Sequence, residues 1–302
     1  MIQHLSELVT AARNLGKKRL AVAFGQDEHT LHAVYEAVKE GLVDPIIYGS
    51  RDKIMEICRE SDIDASVFNI VDEYSDVECV RRAVMSVAKG EADVLMKGLV
   101  STDKYMRGIL NKEAGLFPPK GTLSHVTILE MHGYHKLLTI SDIAVIPQPD
   151  LKQKMTLIGY LKKAANILGI QTPKIACIAP SEQVLPTVTS SYEAAILAKM
   201  SDRGQLGNVV VDGPLSLDVA MYKEVAEHKK VKGSPIAGDP DCLLFPNIES
   251  ANVFFKSVTH FGDGELAAMV VGTKVPCVLT SRGDSSQSKL YSIALACLAA
   301  KR

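Results

Sequence analysis

No two of the six cysteines (Cys58, Cys79, Cys177, Cys242, Cys277 and Cys297) lie close enough to form a CxxC pair. Their wide, irregular spacing excludes a disulfide framework and a sequence-encoded zinc cluster. Several sit in apolar runs, as buried free thiols do, so a reducing, cytoplasmic setting is expected. Long apolar runs are missing too: no stretch approaches the roughly 18 residues that a membrane span needs. The opening MIQHLSELVTAARNLGKKRL has helical spacing and no continuous apolar h-region, so a signal peptide is not expected. Nor does charge of one sign dominate. With 34 Lys and Arg against 35 Asp and Glu, the net charge is −1. No global field favours nucleic acid or an anionic membrane, and any anion site must be local. The GxxxxGK[ST] phosphate loop and the GxSxG nucleophile elbow are absent, which leaves acyl-enzyme chemistry with little support.

What remains is an ordinary globular composition, 47% hydrophobic and 23% charged over 302 residues, a length suited to two domains. Short β-branched runs recur at Leu20–Phe24, Pro45–Tyr48, Asp93–Met96, Ile143–Ile146, Ile175–Ala179, Val209–Val211, Leu243–Phe245 and Val275–Thr280. Segments of helical periodicity separate them: Thr30–Gly41, Asp76–Lys89, Ser101–Leu110, Asp150–Leu168, Ser190–Met200, Leu215–His228 and Glu249–Phe261. This alternation predicts an α/β protein with mostly parallel sheets covered on both faces. Gly115–Gly121 and Gly272–Pro276 are the domain boundaries favoured by composition. Ligands of such sheets bind beyond the carboxyl ends of strands, so the polar residues there are the candidates.

After Asp93–Met96 come Lys97 and Gly98, then Ser101 or Thr102 as a helix cap, with Arg107 on the helix. A basic residue, a Gly turn and a hydroxyl at a helix N-terminus suit a phosphate, though a plain capped surface helix reads the same way. After Val209–Val211, Asp212-Gly213-Pro214 reads as a turn and Asp218 falls in the next helix. His132 and His135 flank Gly133 without a third ligand, so no metal site is expected. Gly262-Asp263-Gly264-Glu265-Leu266-Ala267 matches a GxGxxA nucleotide fingerprint, but the apolar residues before it have helical spacing. The fingerprint needs a strand there, so Gly262 is read as a left-handed helix C-terminus instead. In TSRGDSSQSKLYSIALACLAA, Asp284 with Gln287 fits a capping box, and Leu290, Ile293, Ala294, Cys297 and Leu298 form a buried face. Capping does not explain Ser281-Arg282.

Taken in order, MKGLVSTDKYMR, Ser141-Asp142-Ile143-Ala144-Val145, Asp212-Gly213-Pro214-Leu215 and Phe245-Pro246-Asn247 with Asn252 and Ser281-Arg282-Gly283 resemble the phosphate acyltransferases. This is the phosphate acetyl/butyryltransferase family, and MKGLVST and LSHVTILEMHGYHKLL are similar to its butyryltransferase branch. The resemblance implies reversible transfer of butanoyl from coenzyme A to inorganic phosphate, with the CoA thioester a substrate and no permanently bound cofactor. It implies two isopropylmalate-dehydrogenase-like α/β domains, 1–118 with 274–302 and 119–273, with the active site in the interdomain cleft. It also implies a homodimer or higher homo-oligomer and a companion acyl (butyrate) kinase. No nucleic-acid or membrane partner is expected.

Carried over by position, Ser281 and Arg282 match the family's active-site Ser-Arg, and Arg107 matches a family arginine. Lys97, Gly98, Ser101, Thr102, Asp212, Gly213 and Ser288 complete the candidate phosphate and CoA ligands. The acetyltransferase pattern has an aspartate, proposed as a base, where this chain has Ser288; Asp284 is nearby but is not the matching position. The chemistry tolerates that loss. Phosphate, with a second pKa of about 6, is already largely a dianion at neutral pH, and a thiolate with a conjugate pKa of roughly 8.5 leaves readily. Phosphate acetyltransferase and an NAD-dependent decarboxylating dehydrogenase of the same fold are the alternative activities. A catalytically silent acyl-CoA-binding protein is a third reading, one that would not need Ser281-Arg282.

Overall fold

The computed structural model describes residues 1–231, 233–281 and 283–300. Its elements begin α1 (Leu5–Arg13), β1 (Lys18–Ala23), α2 (Glu28–Lys39), β2 (Val43–Gly49), α3 (Arg51–Glu60), β3 (Asn69–Asp72), α4 (Asp76–Ala88), β4 (Val94–Lys97) and α5 (Thr102–Ile109). They continue β5 (Ser124–Glu130), β6 (Leu138–Ser141), α6 (Leu151–Ile167), β7 (Lys174–Ile178), α7 (Thr189–Asp202), β8 (Val210–Leu215), α8 (Leu217–Met221), α9 (Lys223–His228) and β9 (Cys242–Leu244). The last are α10 (Ile248–Phe261), β10 (Glu265–Val271), β11 (Cys277–Val278) and α11 (Ser286–Ala299). Two compact units divide the chain: Leu5–Leu123 with Leu266–Arg302, and Met1–His4 with Ser124–Glu265. Against expected breaks after 118 and 273, the divisions fall after Leu123 and Glu265.

The first unit orders its strands β3-β2-β1-β4-β11-β10. All neighbours are parallel except β10 and β11. Leu20–Ala23 of β1 and Val94–Met96 of β4 are fully buried, as parallel strands covered on both faces must be. The helices start where a short polar side chain satisfies a free backbone N–H: Asp27 for α2, Ser50 for α3, Ser75 for α4 and Ser101 for α5. The chain lays β2 and β3 on one side of β1 and β4 on the other. That reversal opens a crevice at the carboxyl ends of β1 and β4, the preferred ligand position in an open α/β sheet. Ala23 stands opposite Lys97, and Met96 opposite Val278 of β11, so three strand ends are level there.

The second unit orders its strands β5-β6-β9-β7-β8, with β5 antiparallel to β6 and the rest parallel. Its core packs Leu157, Ile158 and Leu161 of α6 with Ala194 and Leu197 of α7, over Ile175, Cys177, Cys242 and Leu244. A buried ion pair, Lys154 to Glu193, ties α6 to α7. No helix among the described residues is long and apolar enough to cross a membrane.

Several local expectations are corrected. Ile143–Ile146 is not a strand but a loop wrapped on the buried Asp142 carboxylate, which accepts from the N–H groups of Ala144, Val145 and Ile146. Asp212-Gly213-Pro214 is not a turn: it lies within β8. Leu215–His228 breaks at Tyr222 into α8 and α9. The run Val275–Thr280 pairs only over Cys277–Val278. Gly262 does end α10, but at φ −111; the left-handed residue is Asp263, at φ 48. A strand, β10, follows, so the GxGxxA match joins helix to strand, the reverse of a nucleotide fingerprint. Finally, the cap of α11 is Ser285, whose hydroxyl accepts from Ser288 N–H, and not Asp284.

Candidate functional site

A cavity of about 130 Å³ lies in the first unit, lined by Asp27, His29, Thr30, Lys97, Gly98, Leu99, Thr280, Ser281 and Lys289. These residues end β4, follow β1, β4 and β11, or lie on α2 and α11, so the cavity sits at the switch point.

Its floor depends on one glycine. Gly98 N–H donates to Ala23 O at 2.9 Å, and Leu99 N–H donates to Phe24 O at 2.9 Å, which extends the β1/β4 pairing past the strands. A Cβ on Gly98 would come within 2.4 Å of Phe24 O. Phe24 itself takes φ 57, an uncommon left-handed conformation that turns the chain out of β1 toward Asp27.

Two lysines are buried against this floor. Lys97 is 4% exposed and donates to Gly98 O and Val100 O, both at 3.1 Å. Lys289 is 3% exposed and donates to Ser281 O at 3.1 Å and Asp284 O at 2.7 Å. Burial lowers the Lys289 pKa, while the Asp284 and Asp27 carboxylates act in the opposite direction. A cation in the first turn of a helix opposes the macrodipole, so Lys289 is not placed there for the sake of α11. Asp27 Oδ1 accepts from Thr30 N–H at 2.9 Å. Its Oδ2 is buried and has no hydrogen-bond partner among the described residues. Paired ammonium groups beside capped helix N-termini suit an oxyanion such as phosphate.

The structure places Ser281, Lys97 and Gly98 together in the lining. Ser281 is exposed at the cavity. Its N–H donates to Asp284 Oδ2 at 2.6 Å and its Oγ accepts from Gly283 N–H at 3.4 Å. Asp284 thus ties down the Ser281 loop. Ser288 is buried in the first turn of α11, its N–H on the cap and its carbonyl accepting from Ser292 Oγ. Arg282 lies outside the described residues. Ser101 caps α5 by accepting from Lys104 N–H at 3.3 Å, and Thr102 begins that helix. Arg107 is exposed and paired with Asp103 one turn earlier, and it is not among the lining residues. Asp212 and Gly213 belong to the second unit, where the Asp212 carboxylate accepts from Gly213 N–H.

Asp27, His29, Thr30, Leu99, Thr280 and Lys289 line the cavity without having been candidates in the sequence. A signal existed for two of them. Asp27 follows a predicted strand, where polar residues are sought, and Lys289 is the one charge in the otherwise neutral run from Ser285 to Ala300.

The family described as Phosphate acetyl/butaryl transferase matches residues 4–80 and 77–297. A phosphate butyryltransferase of Clostridium acetobutylicum is 43% identical over 300 residues, 99% of either chain. A phosphate acetyltransferase of Thermotoga maritima is 40% identical over 291 residues, 96% of this chain and 98% of that one. A solved structure, the branched-chain phosphotransacylase of Enterococcus faecalis V583, matches at TM-score 0.82 and 31% identity, over 94% of this chain and 100% of that one. Matched almost end to end, with the β1/β4/β11 cavity inside the matched span, the chain belongs to the phosphate acetyl/butyryl transferase family.

Proposed function

We propose that the chain transfers a butanoyl group reversibly between coenzyme A and inorganic phosphate, by direct attack in a ternary complex. The observation that carries this reading is the cavity holding two buried lysines beside the exposed Ser281. Full-length likeness to a phosphate butyryltransferase supports the choice of acyl group.

In this reading the phosphate dianion sits between the ammonium groups of Lys97 and Lys289, and Arg282 adds a guanidinium fork suited to its oxygens. Arg107 joins them by exchanging Asp103 for phosphate. The Ser281 hydroxyl donates to the thioester oxygen as it becomes an oxyanion, or to the departing sulfur. Lys289 and Asp284 hold that serine by its backbone carbonyl and N–H. Preorganisation of this kind matters because an oxyanion-hole donor acts only if it is in place before charge develops. No acyl-enzyme forms. The CoA thioester is a substrate, the acyl phosphate passes to an acyl kinase, and the working form is a cytoplasmic homo-oligomer.

The test is free thiol release from butanoyl-CoA with and without phosphate. Phosphate-dependent release is expected; no release, or release that ignores phosphate, overturns the reading. An acyl adduct on Ser281 seen by mass spectrometry with butanoyl-CoA alone would exclude direct attack. The 40% identity to a phosphate acetyltransferase favours acetyl as the second acyl group to assay.

A further inference from the structure

We propose that Asp27 is the proton acceptor of this site: it takes the proton of hydrogen phosphate as the anion, held against Lys289, attacks the thioester. The inference rests on the acyl-transfer reading above and assigns the base that reading leaves open.

Three positions come into question. Position 288 is a serine. Asp284 is engaged at 2.6 Å with Ser281 N–H, and withdrawing it would release the loop that carries Ser281. Asp27 is the remaining carboxylate in the lining. Capping α2 occupies only its Oδ1. Oδ2, buried and without a donor among the described residues, is in the state that folding normally avoids. The cap needs a single acceptor, which asparagine or serine would supply as well. The cap therefore leaves the second oxygen unused, and an arriving O–H would satisfy it.

Hydrogen phosphate has the complementary set: one O–H donor and three oxygen acceptors. Lys289 directs two of its ammonium protons to carbonyls, and its third has no partner among the described residues. The Lys289 ammonium also interacts favourably with the Asp27 carboxylate. Among the described residues, His29 and Lys97 also line the cavity, Glu28 follows Asp27 on the exposed first turn of α2, and Asp284 acts on Lys289.

The step balances. The phosphate oxygen forms its bond to the carbonyl carbon as its proton passes to Asp27. The oxyanion collapses, the C–S bond breaks, and the thiolate takes the proton from Asp27. Acyl phosphate dianion and CoA thiol result, with the carboxylate regenerated.

The test compares Asp27→Asn, which keeps the cap, with wild type in phosphate-dependent thiol release. The expected result is a fall in kcat of roughly 10²–10⁴-fold in a protein still folded at the assay temperature, with unchanged KM for butanoyl-CoA. Asp27→Gly, also an acceptable cap, is expected to regain rate when formate is added, which a purely structural role would not produce. A wild-type rate in Asp27→Asn, or a loss of that size in His29→Asn instead, would overturn the assignment. An inactive wild type would instead reject the acyl-transfer reading itself.

Discussion

Gly98→Ala places one methyl at the most crowded backbone approach beside the cavity. The new Cβ would lie 2.4 Å from Phe24 O, 2.8 Å from Phe24 C and 2.9 Å from Ala23 O. All three are backbone atoms, so no rotamer change can make room. Reaching ordinary contact means separating the ends of β1 and β4 by about 1 Å, which overpacking studies place at about 1–3 kcal/mol. The same movement weakens two hydrogen bonds, Gly98 N–H to Ala23 O and Leu99 N–H to Phe24 O. Each is worth about 0.5–1.5 kcal/mol net. The expected loss is therefore about 2–6 kcal/mol, read as a lower denaturant midpoint at unchanged m-value. Because Lys97, Gly98 and Leu99 line the cavity, thiol release should fall even where the variant is fully folded. A stability within about 0.5 kcal/mol of wild type, the range of ordinary surface changes, would refute the close-approach argument.

The other expectations probe different parts of the chain. Gly159→Ala, in mid-α6 with nothing within 4 Å of its new methyl, should stabilise by about 0.5–1 kcal/mol; a loss in urea unfolding would show hidden crowding. Lys154→Met strands the Glu193 carboxylate and should cost about 3–5 kcal/mol, most of it recovered in Lys154→Met/Glu193→Leu. A double variant no better than the single one would contradict this. Burial raises the Asp239 pKa, but hydrogen bonds from Lys136, Lys174 and His135 outweigh it, leaving the group below the usual carboxylate range. Its stabilisation is then complete above the unfolded pKa of about 3.9 and fades as pH falls through the lower folded value. Asp239→Asn should accordingly be less stable at pH 6 and converge with wild type in strong acid. All six cysteines are free and buried, and burial pushes Cys79, Cys177, Cys277 and Cys297 up to about 12. A disulfide reagent should report them only on unfolding, leaving CoA thiol as the signal in the native assay.

Periodicity made α2, α4, α6 and α7 legible because each buries four or more residues. It missed α3, whose buried residues are only Ile54 and Cys58. Strand β10, ELAAMVV, is rich in alanine and follows a helix whose spacing masked the change of period. The Gly/Pro segments at 115–121 and 272–276 drew the expected breaks away from Leu123 and Glu265 because turn composition marks a loop and not the point where contacts change partners.

The site separates in the same way, by range of interaction. Ser281, Lys97 and Gly98 were readable because each directly follows a short apolar run, and strand ends are where an open sheet binds. Asp27 and Lys289 were not, because each has a sufficient local explanation: a cap for α2, and one more polar residue in a helix's first turn. Their chemical meaning exists only across the sheet, where β1, β4 and β11 bring together residues more than two hundred positions apart. Local satisfaction can be counted in a sequence, but surplus cannot. The second oxygen of Asp27 and the third proton of Lys289 become visible as surplus only once the partners among the described residues are assigned. The puzzle of Ser288 changes accordingly. Loss of a carboxylate at that helix position need not remove the base, since a strand end across the crevice offers one whose cap duty leaves an oxygen over.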